Sequence, residues 1–326
     1  MTGTSNTARR PLVSAIIPAY NSERFLPLAI TSVLAQTYAP MECIVVDDGS
    51  SDGTARVVAS FGDRVRYIHQ TNAGASAARN TGIAAARGEY IAFLDSDDYW
   101  VATRVENQME AIAREPGLVL LASSFVAEPL VEQDSLHVPH GEAFRADALE
   151  VFNGLTELLR DSYLGTSTVI ARTDALCAIG GFDVTLPIAE DLDLYFRLCR
   201  NSRYGLLRQP LVGKRLRADS LSTNLRGYSD NLCVMDRVEQ LLQPEQHVEH
   251  ELLRAQRLRV YDSWVSDLLM RGDGQNARQV LRMSRRVGRI QHYYPFLIKS
   301  LIAPVLPGLR SVRATLLMHS RRTMSR

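Results

Sequence analysis

Residues 91–100 read IAFLDSDDYW. The apolar run Ile91 to Leu94 has the length and composition of a buried strand, yet it ends in three carboxylates within four positions, Asp95, Asp97 and Asp98. Charges this close repel one another unless a cation sits among them. Oxygen ligands at Asp95 and Asp97 suit a hard divalent ion, Mg2+ or Mn2+, of the kind that carries substrate phosphates. The competing reading is local: Asp97 and Asp98 cap a helix beginning in YWVATRVENQM.

Upstream, the same strand closes a regular alternation. LVSAIIP, ECIVVDDGS and VRYIHQ read as strands; SERFLPLAITSVLAQ, with Ser22 as its cap, SDGTARVVASF and GASAARNTGIAAA read as helices. Strands and helices at this spacing imply parallel βαβ units, hence an α/β fold with a doubly wound, mainly parallel sheet flanked by helices. In such sheets ligands bind beyond the carboxyl ends of the strands. Three of those ends are polar here: PAYN, DDGSSDGT and DSDD.

Downstream, a helix is expected from Ala102 to Arg114, then a short strand GLVLLAS and a loop over 125–142. DALEVFNGLTELLRDSY reads as helix, TSTVIAR as strand, EDLDLYFRLCRN as amphipathic helix and GLLRQPLVGKRLR as a pair of extended segments. From Gly227 the apolar spacing is helical, in LCVMDRVEQLL and VYDSWVSDLLM. The expected organisation is a flexible stretch 1–10, an α/β domain 11–225 in two halves, 11–122 and 123–225, and a helical, basic extension 226–326.

Composition is that of a globular protein: 326 residues, 46% hydrophobic and 22% charged. The cysteines, Cys43, Cys177, Cys199 and Cys233, form no CxxC pair, which argues against a zinc site or a disulfide scaffold and fits a reducing compartment. The N-terminus lacks the apolar core of a signal peptide, and no window has the 18 or so apolar residues of a membrane span, so a cytoplasmic location is expected. Charge is polarised. Net charge is +1, but residues 274–326 hold 11 Lys and Arg and no Asp or Glu. The segment from Gln291 mixes Tyr, Phe, Leu and Ile with Lys299, Arg310 and Arg313, and is broken by Pro295, Pro304 and Pro307. It suits peripheral contact with the inner face of a membrane or packing on the protein's own body; no nucleic-acid partner is expected. His137 with His140, and His247 with His250, lack acidic or cysteine partners and read as surface.

Two motifs admit both a structural and a chemical reading. In IVVDDGSSDGT, Ser50 or Asp52 can cap the following helix, while Asp48 can accept from a nucleotide base or ribose. In NAGASAARNTGIAAARGEY, Arg79 can snorkel from a packed helix or bind a diphosphate bidentately.

Together VSAIIPAYN, IVVDDGSSDGT, NAGASAARNTGIAAARGEYIAFLDSDD and GGFDVTLPIAEDLDLYFRL resemble a family 2 glycosyltransferase with a GT-A fold, closely from Pro11 to Asp98 and again from Gly165 to Leu198. The resemblance implies that Pro18, Ala19, Tyr20 and Asn21, with Asp48, hold the uracil and ribose of a nucleotide-sugar. Glu23, Gly74, Arg79 and Ser96 fall in the same donor motifs. Asp95 would contact ribose or metal, Asp97 would coordinate the metal on the diphosphate, and Asp191 of the ED pair would deprotonate the acceptor hydroxyl. Inverting transfer needs one carboxylate opposite the leaving group, whereas acids in the first turn of EDLDLYFRL also favour the helix dipole without catalysing.

Where many members have a metal-ligating histidine, the matching residue is Arg217, which offers only donors and would pair with the diphosphate instead, weakening metal dependence; Arg215 is the alternative in this short alignment. GGF, Gly180 to Phe182, either ends a helix or shapes the acceptor side. The expected function is transfer of a sugar from a nucleotide-sugar, UDP-linked by expectation, to a saccharide or lipid-linked acceptor in polysaccharide or glycolipid synthesis. The rivals are a nucleotide-sugar-binding protein without turnover, and a nucleotidyltransferase, against which the absence of glycine in IIPAYNSERF counts.

Overall fold

The computed structural model describes residues 9–129, 137–160, 164–216 and 224–302. Contacts divide the chain into two compact units, Met1–Thr223 and Asn224–Arg326.

The first unit begins with the alternation expected: β1 Val13–Ala19, α1 Leu26–Leu34, β2 Met41–Asp47, α2 Thr54–Ala59, β3 Arg66–His69, α3 Ala75–Ala85 and β4 Tyr90–Phe93. β1 is buried along its length except at Pro18, which is partly exposed. Pro18 has no N–H to give, and β4 pairs β1 only as far as Ile16, so the missing donor falls where no neighbour on that side needs it.

Then come β5 Tyr99–Trp100, α4 Arg104–Arg114, β6 Leu118–Pro129, β7 Leu149–Asn153, α5 Thr156–Arg160, β8 Ile170–Arg172, α6 Thr173–Ala178, α7 Glu190–Cys199 and β9 Arg203–Leu216. The sheet runs β3-β2-β1-β4-β8-β6-β9-β5, with β7 paired to β9 off that path. β1, β2, β3 and β4 are parallel to one another, and β6 is parallel to β9; β5, β7 and β8 run against their neighbours. The chain leaves β1 toward β2 and β3, then returns to place β4 on the other side. This reversal is a topological switch point, and the crevice beyond the ends of β1 and β4 is where an open α/β sheet binds ligands.

Several local readings are corrected. Ser22 does not cap α1 with its side chain: Phe25 and Leu26 donate to its carbonyl, and its Oγ pairs instead with Ser96 Oγ at 2.8 Å. Asp97 and Asp98 cap no helix, because Tyr99–Trp100 is a strand paired with Val212–Gly213 and α4 starts at Arg104. The helix expected over 147–163 is β7 followed by α5: Val151 and Phe152 pair with β9, and Gly154, at φ +67, breaks the path that the leucine spacing suggested. The expected loop from 125 starts later, since β6 continues to Pro129. The expected pair of extended segments is one strand, β9; a register shift opposite Ser123 and Ser124 accommodates Pro210, which cannot donate to the ladder. Of the N-terminal ten residues, Arg9 pairs with Glu89 at 3.0 Å and Arg10 with Glu106; residues 1–8 lie outside the described set.

The core beneath the crevice holds Ile17, Leu26, Ile30, Val45, Leu94, Trp100 and Val105, all at 0% exposure. Burying each contributes about 1.5–3 kcal/mol and fixes the strand ends from which the polar loops spring.

The second unit contains α8 Arg226–Leu241, α9 His247–Met270, α10 Gly274–Ser284 and α11 Tyr293–Ile302. Val234, Met235, Val238, Leu253, Val265 and Leu268 are buried in it, Tyr228 stacks on Trp264, and Arg257 spans Asp236 and Glu239 at 2.6 and 2.7 Å. No helix among the described residues is long and apolar enough to cross a membrane.

Candidate active site

Three loops meet at the switch point. The PAYN loop turns through Asn21 in the left-handed region, φ +47, and is tied to the loop after β2: Asn21 N–H donates to Ser50 Oγ, Ser51 N–H to Asn21 Oδ1, and Gly53 N–H to Glu23 Oε2 at 2.7 Å. A Cβ at Gly53 would lie 2.3 Å from that Glu23 oxygen, so a larger residue there would displace the Glu23 carboxylate from this bond. Ala19 is buried under this turn while Tyr20, 53% exposed, presents its ring to the surface. Asp52 accepts from Thr54 N–H and from Glu23 N–H, an Asx turn leading into α2.

Asp48, at the end of β2, is buried and accepts from Gln70 Nε2, Ala73 N–H and Gly74 N–H at 2.7–2.9 Å. Its carboxylate thus shapes the loop entering α3, with Gly74 at φ +90 as the turning residue. Asp47 is likewise structural, accepting from Ser50 N–H and the Tyr67 hydroxyl.

Arg79 joins the two acidic motifs. Its Nη2 donates to Asp95 Oδ1 and its Nη1 to Glu190 Oε1, each at 2.8 Å. The guanidinium is buried against Phe182, 5.2 Å from its ring centre. Burial alone would lower its pKa, but the attraction of Asp95 and Glu190 outweighs that and raises it, so the charge is permanent. Phe182 is itself held by Asn80, which donates to its carbonyl and accepts from its N–H, both at 2.8 Å. GGF also closes α6, as Gly180 and Gly181 take positive φ and donate to Cys177 and Leu176 carbonyls.

The DSDD segment is pinned from the opposite side. Asp95 N–H donates to Ser167 Oγ at 3.0 Å; Ser167 Oγ donates to Asp98 Oδ2 at 2.7 Å; Arg215 N–H donates to Asp98 Oδ1 at 3.1 Å. Asp98 is therefore a buried brace between β4, the entry to β8 and β9. Burial, then the neighbouring Asp95, pushes its carboxyl up to about 7. Ser167, Thr166 and Lys214 went unread in the sequence; the signal was the hydroxyl run GTST entering a buried strand. With Asp95, Asp98 and Phe125, they line a small hollow.

Asp191 is the second residue of α7, which opens at Glu190 directly after Ala189, a non-glycine residue at φ +65. Such backbone strain persists where the surroundings over-determine it. Asp191 accepts from Leu192 N–H at 2.7 Å and, at 3.4 Å, from Thr166 Oγ1. Burial raises the carboxyls of both Asp191 and Glu190 above the ordinary carboxylate range, against the pull of Arg79.

Among the described residues no group of three or more His, Cys, Asp or Glu side chains is placed to hold a metal unaided. Asp97 and Asp95 are only partly buried, and Arg79 engages a single oxygen of Asp95. That donor set fits a hard cation that keeps most of its shell for water and phosphate. Arg217 lies outside the described residues.

A mainly parallel sheet with its carboxylates at the switch point defines a GT-A glycosyltransferase fold. The comparison structures share it: S. aureus TarS 1–349, with a TM-score of 0.62 and 21% identity over 88% of each chain, and the mannosyltransferase PcManGT from Pyrobaculum calidifontis, with a TM-score of 0.58 and 16% identity over 98% of this chain and 88% of that one. Residues 14–157 match the family described as "Glycosyl transferase family 2". The chain is 35% identical over 227 residues, 66% of its length and 83% of the relative's, to the putative teichuronic acid biosynthesis glycosyltransferase TuaG of Bacillus subtilis. It is 47% identical over 105 residues, 32% of its length and 42% of the relative's, to the UDP-Glc:alpha-D-GlcNAc-diphosphoundecaprenol beta-1,3-glucosyltransferase WfgD of Escherichia coli. The chain spans 32–66% of the length of the Rickettsia relatives it matches. It belongs to glycosyl transferase family 2.

Proposed function

We propose that the chain transfers a sugar from a nucleotide-sugar, UDP-linked, to a hydroxyl of a saccharide or lipid-linked acceptor with inversion, in the synthesis of an envelope polysaccharide or glycolipid. The observation that carries this reading is the Arg79 bridge, which unites the donor motif at Asp95 with the acceptor motif at Glu190–Asp191 in one mouth. The donor assignment is supported by WfgD, whose name specifies UDP-Glc, and by TarS, solved with UDP-GlcNAc; PcManGT was solved with GDP-Man and Mn2+, so the nucleotide is a matter for direct test. TuaG and WfgD support an envelope acceptor, in WfgD a diphosphoundecaprenol-linked one.

In this reading the loops of Pro18–Glu23, Asp48 and Gly74 surround the nucleoside, with Ser96 bonded to Ser22 at their junction. Asp191 takes the proton of the acceptor hydroxyl as its oxygen attacks the anomeric carbon, and the bond from that carbon to the diphosphate breaks on the opposite face. Its raised pKa makes it a stronger base than a surface carboxylate. Arg79 sets the spacing of Asp95 and Glu190. A divalent cation at Asp97 and the open oxygen of Asp95 would offset the charge of the departing diphosphate.

The test is a thermal-shift panel of UDP, GDP, dTDP and CDP with and without Mn2+, followed by nucleotide release from the matching sugar donor. A selective, Mn2+-enhanced shift that Asp97→Ala removes, with turnover lost in Asp191→Asn, is the expected result. No shift with any nucleotide refutes the reading.

A further inference from the structure

We infer that the surface formed by the end of α10, the connection 285–292 and the outer side of α11 is a docking face for an anionic lipid surface. This inference is independent of the catalytic reading. α11 inverts the usual pattern of a surface helix. Its inner side is filled by Phe296 and Ser300, both buried, as it packs on α9 and α10. Its outer side, where polar residues belong, carries Tyr294 and Ile298, each 59% exposed, beside Pro295 and Lys299. Met283 at the end of α10 is exposed as well.

The charge that this stretch of chain contributes has one sign. Arg282, Arg285, Arg286, Arg289 and Lys299 are exposed, and the guanidinium of Arg289 lies 5.7 Å from the Tyr294 ring centre. From Gly274 to the last residue the sequence has no Asp or Glu. Asp262 of α9, a carboxylate beside this connection, is engaged by the ring and N–H of His292. An aromatic and an aliphatic side chain framed by arginines matches the headgroup boundary of an anionic bilayer, into which the apolar groups insert while the cations stay with the phosphates. A nucleic-acid backbone would use the arginines alike but has no use for an outward Ile298 and Met283, which is why lipid is favoured.

The experiment is flotation of the full chain with phosphatidylcholine vesicles, with and without phosphatidylglycerol, comparing wild type, R285E/R286E/R289E and Y294S/I298S. Wild type is expected to float only with the anionic vesicles and to be released by salt. The charge variant should lose at least about tenfold in partitioning, and the apolar variant should weaken comparably while its residual binding stays salt-sensitive. Circular dichroism and the nucleotide thermal shift should match wild type in both variants. The inference is overturned if wild type ignores anionic vesicles, if both variants float as well as wild type, or if the protein is retained by DNA and not by vesicles. It is overturned equally if the apolar variant only abolishes self-association, which would assign the face to a second copy of the chain.

Discussion

Arg79 and Glu190, 111 positions apart in the chain, are joined by a 2.8 Å ion pair in which the guanidinium is almost wholly buried. The same guanidinium holds Asp95, so its removal leaves two carboxylates facing each other across its vacated place. Arg79→Met should cost about 3 kcal/mol, the low end for breaking a buried pair, because Asp95 remains 32% exposed. Arg79→Lys, which keeps the charge but cannot span both partners, should recover part of that stability and little of the turnover. Thermal melts and nucleotide release on the two variants measure this; equal activity in Arg79→Lys and wild type would refute a spacing role.

Asp191→Asn separates chemistry from binding. Loss of a general base costs about 10²–10⁴-fold in rate, so turnover should fall by about a thousandfold while the nucleotide thermal shift stays within error of wild type.

The raised carboxyls of Glu190 and Asp191 give that site a pH signature. The acid limb of the wild-type rate profile should lie above the ordinary carboxylate range. For stability the sign is the reverse of the usual surface carboxylate. The folded chain keeps a proton there that the unfolded chain has already released, so the pair favours folding below the ordinary carboxylate pKa, and that contribution is lost as pH rises through the folded value. The melting temperature of wild type should decline over that window more than that of Asp191→Asn, and a parallel decline would show that other groups dominate.

Gly181→Ala tests the link from GGF to the mouth. Gly181 has φ +69, and a Cβ there would lie 2.4 Å from Asn80 Oδ1, the atom that accepts from Phe182 N–H. Strain and displacement together should cost about 1–3 kcal/mol. Because Phe182 packs against Arg79, turnover should fall more than nucleotide binding; urea melts and a kcat against KM comparison read the two effects separately.

β1, β2 and β4 and the crevice at their ends were legible because buried parallel strands are nearly pure apolar runs, and polar residues can fall only where those runs stop; β3, mostly exposed at the sheet edge, was legible from its place in the alternation. β7 was not: DALEVFNGLTELLRDSY spaces its leucines like a helix, and only pairing with β9, more than 50 positions away, decides for strand. Arg79 shows the same limit at the site. Its residue type left a snorkelling cation and a phosphate ligand both open, and only the fold brings Asp95 and Glu190, 16 and 111 positions away, onto its guanidinium. The competing helix-cap reading of Asp98 fails for the same reason, since its partners, Ser167 in the turn entering β8 and Arg215 in β9, are distant in sequence.

Metal dependence should fall on Asp97. Asp95 and Asp97 are the partly buried carboxylates that the family resemblance assigns to the metal, whereas Asp98 is a buried brace bonded to Ser167 and Arg215. Chelation with EDTA should therefore weaken diphosphate binding in wild type but leave Asp97→Ala unchanged, because that variant has already lost the metal-dependent part. Asp98→Asn should behave differently: it keeps a side chain that can bond Ser167 and Arg215, so it should retain a metal response while losing melting temperature. Titrating Mn2+ against UDP by calorimetry on the three proteins distinguishes these cases. An Asp97→Ala protein that still binds UDP more tightly with Mn2+ would move the metal site away from DSDD.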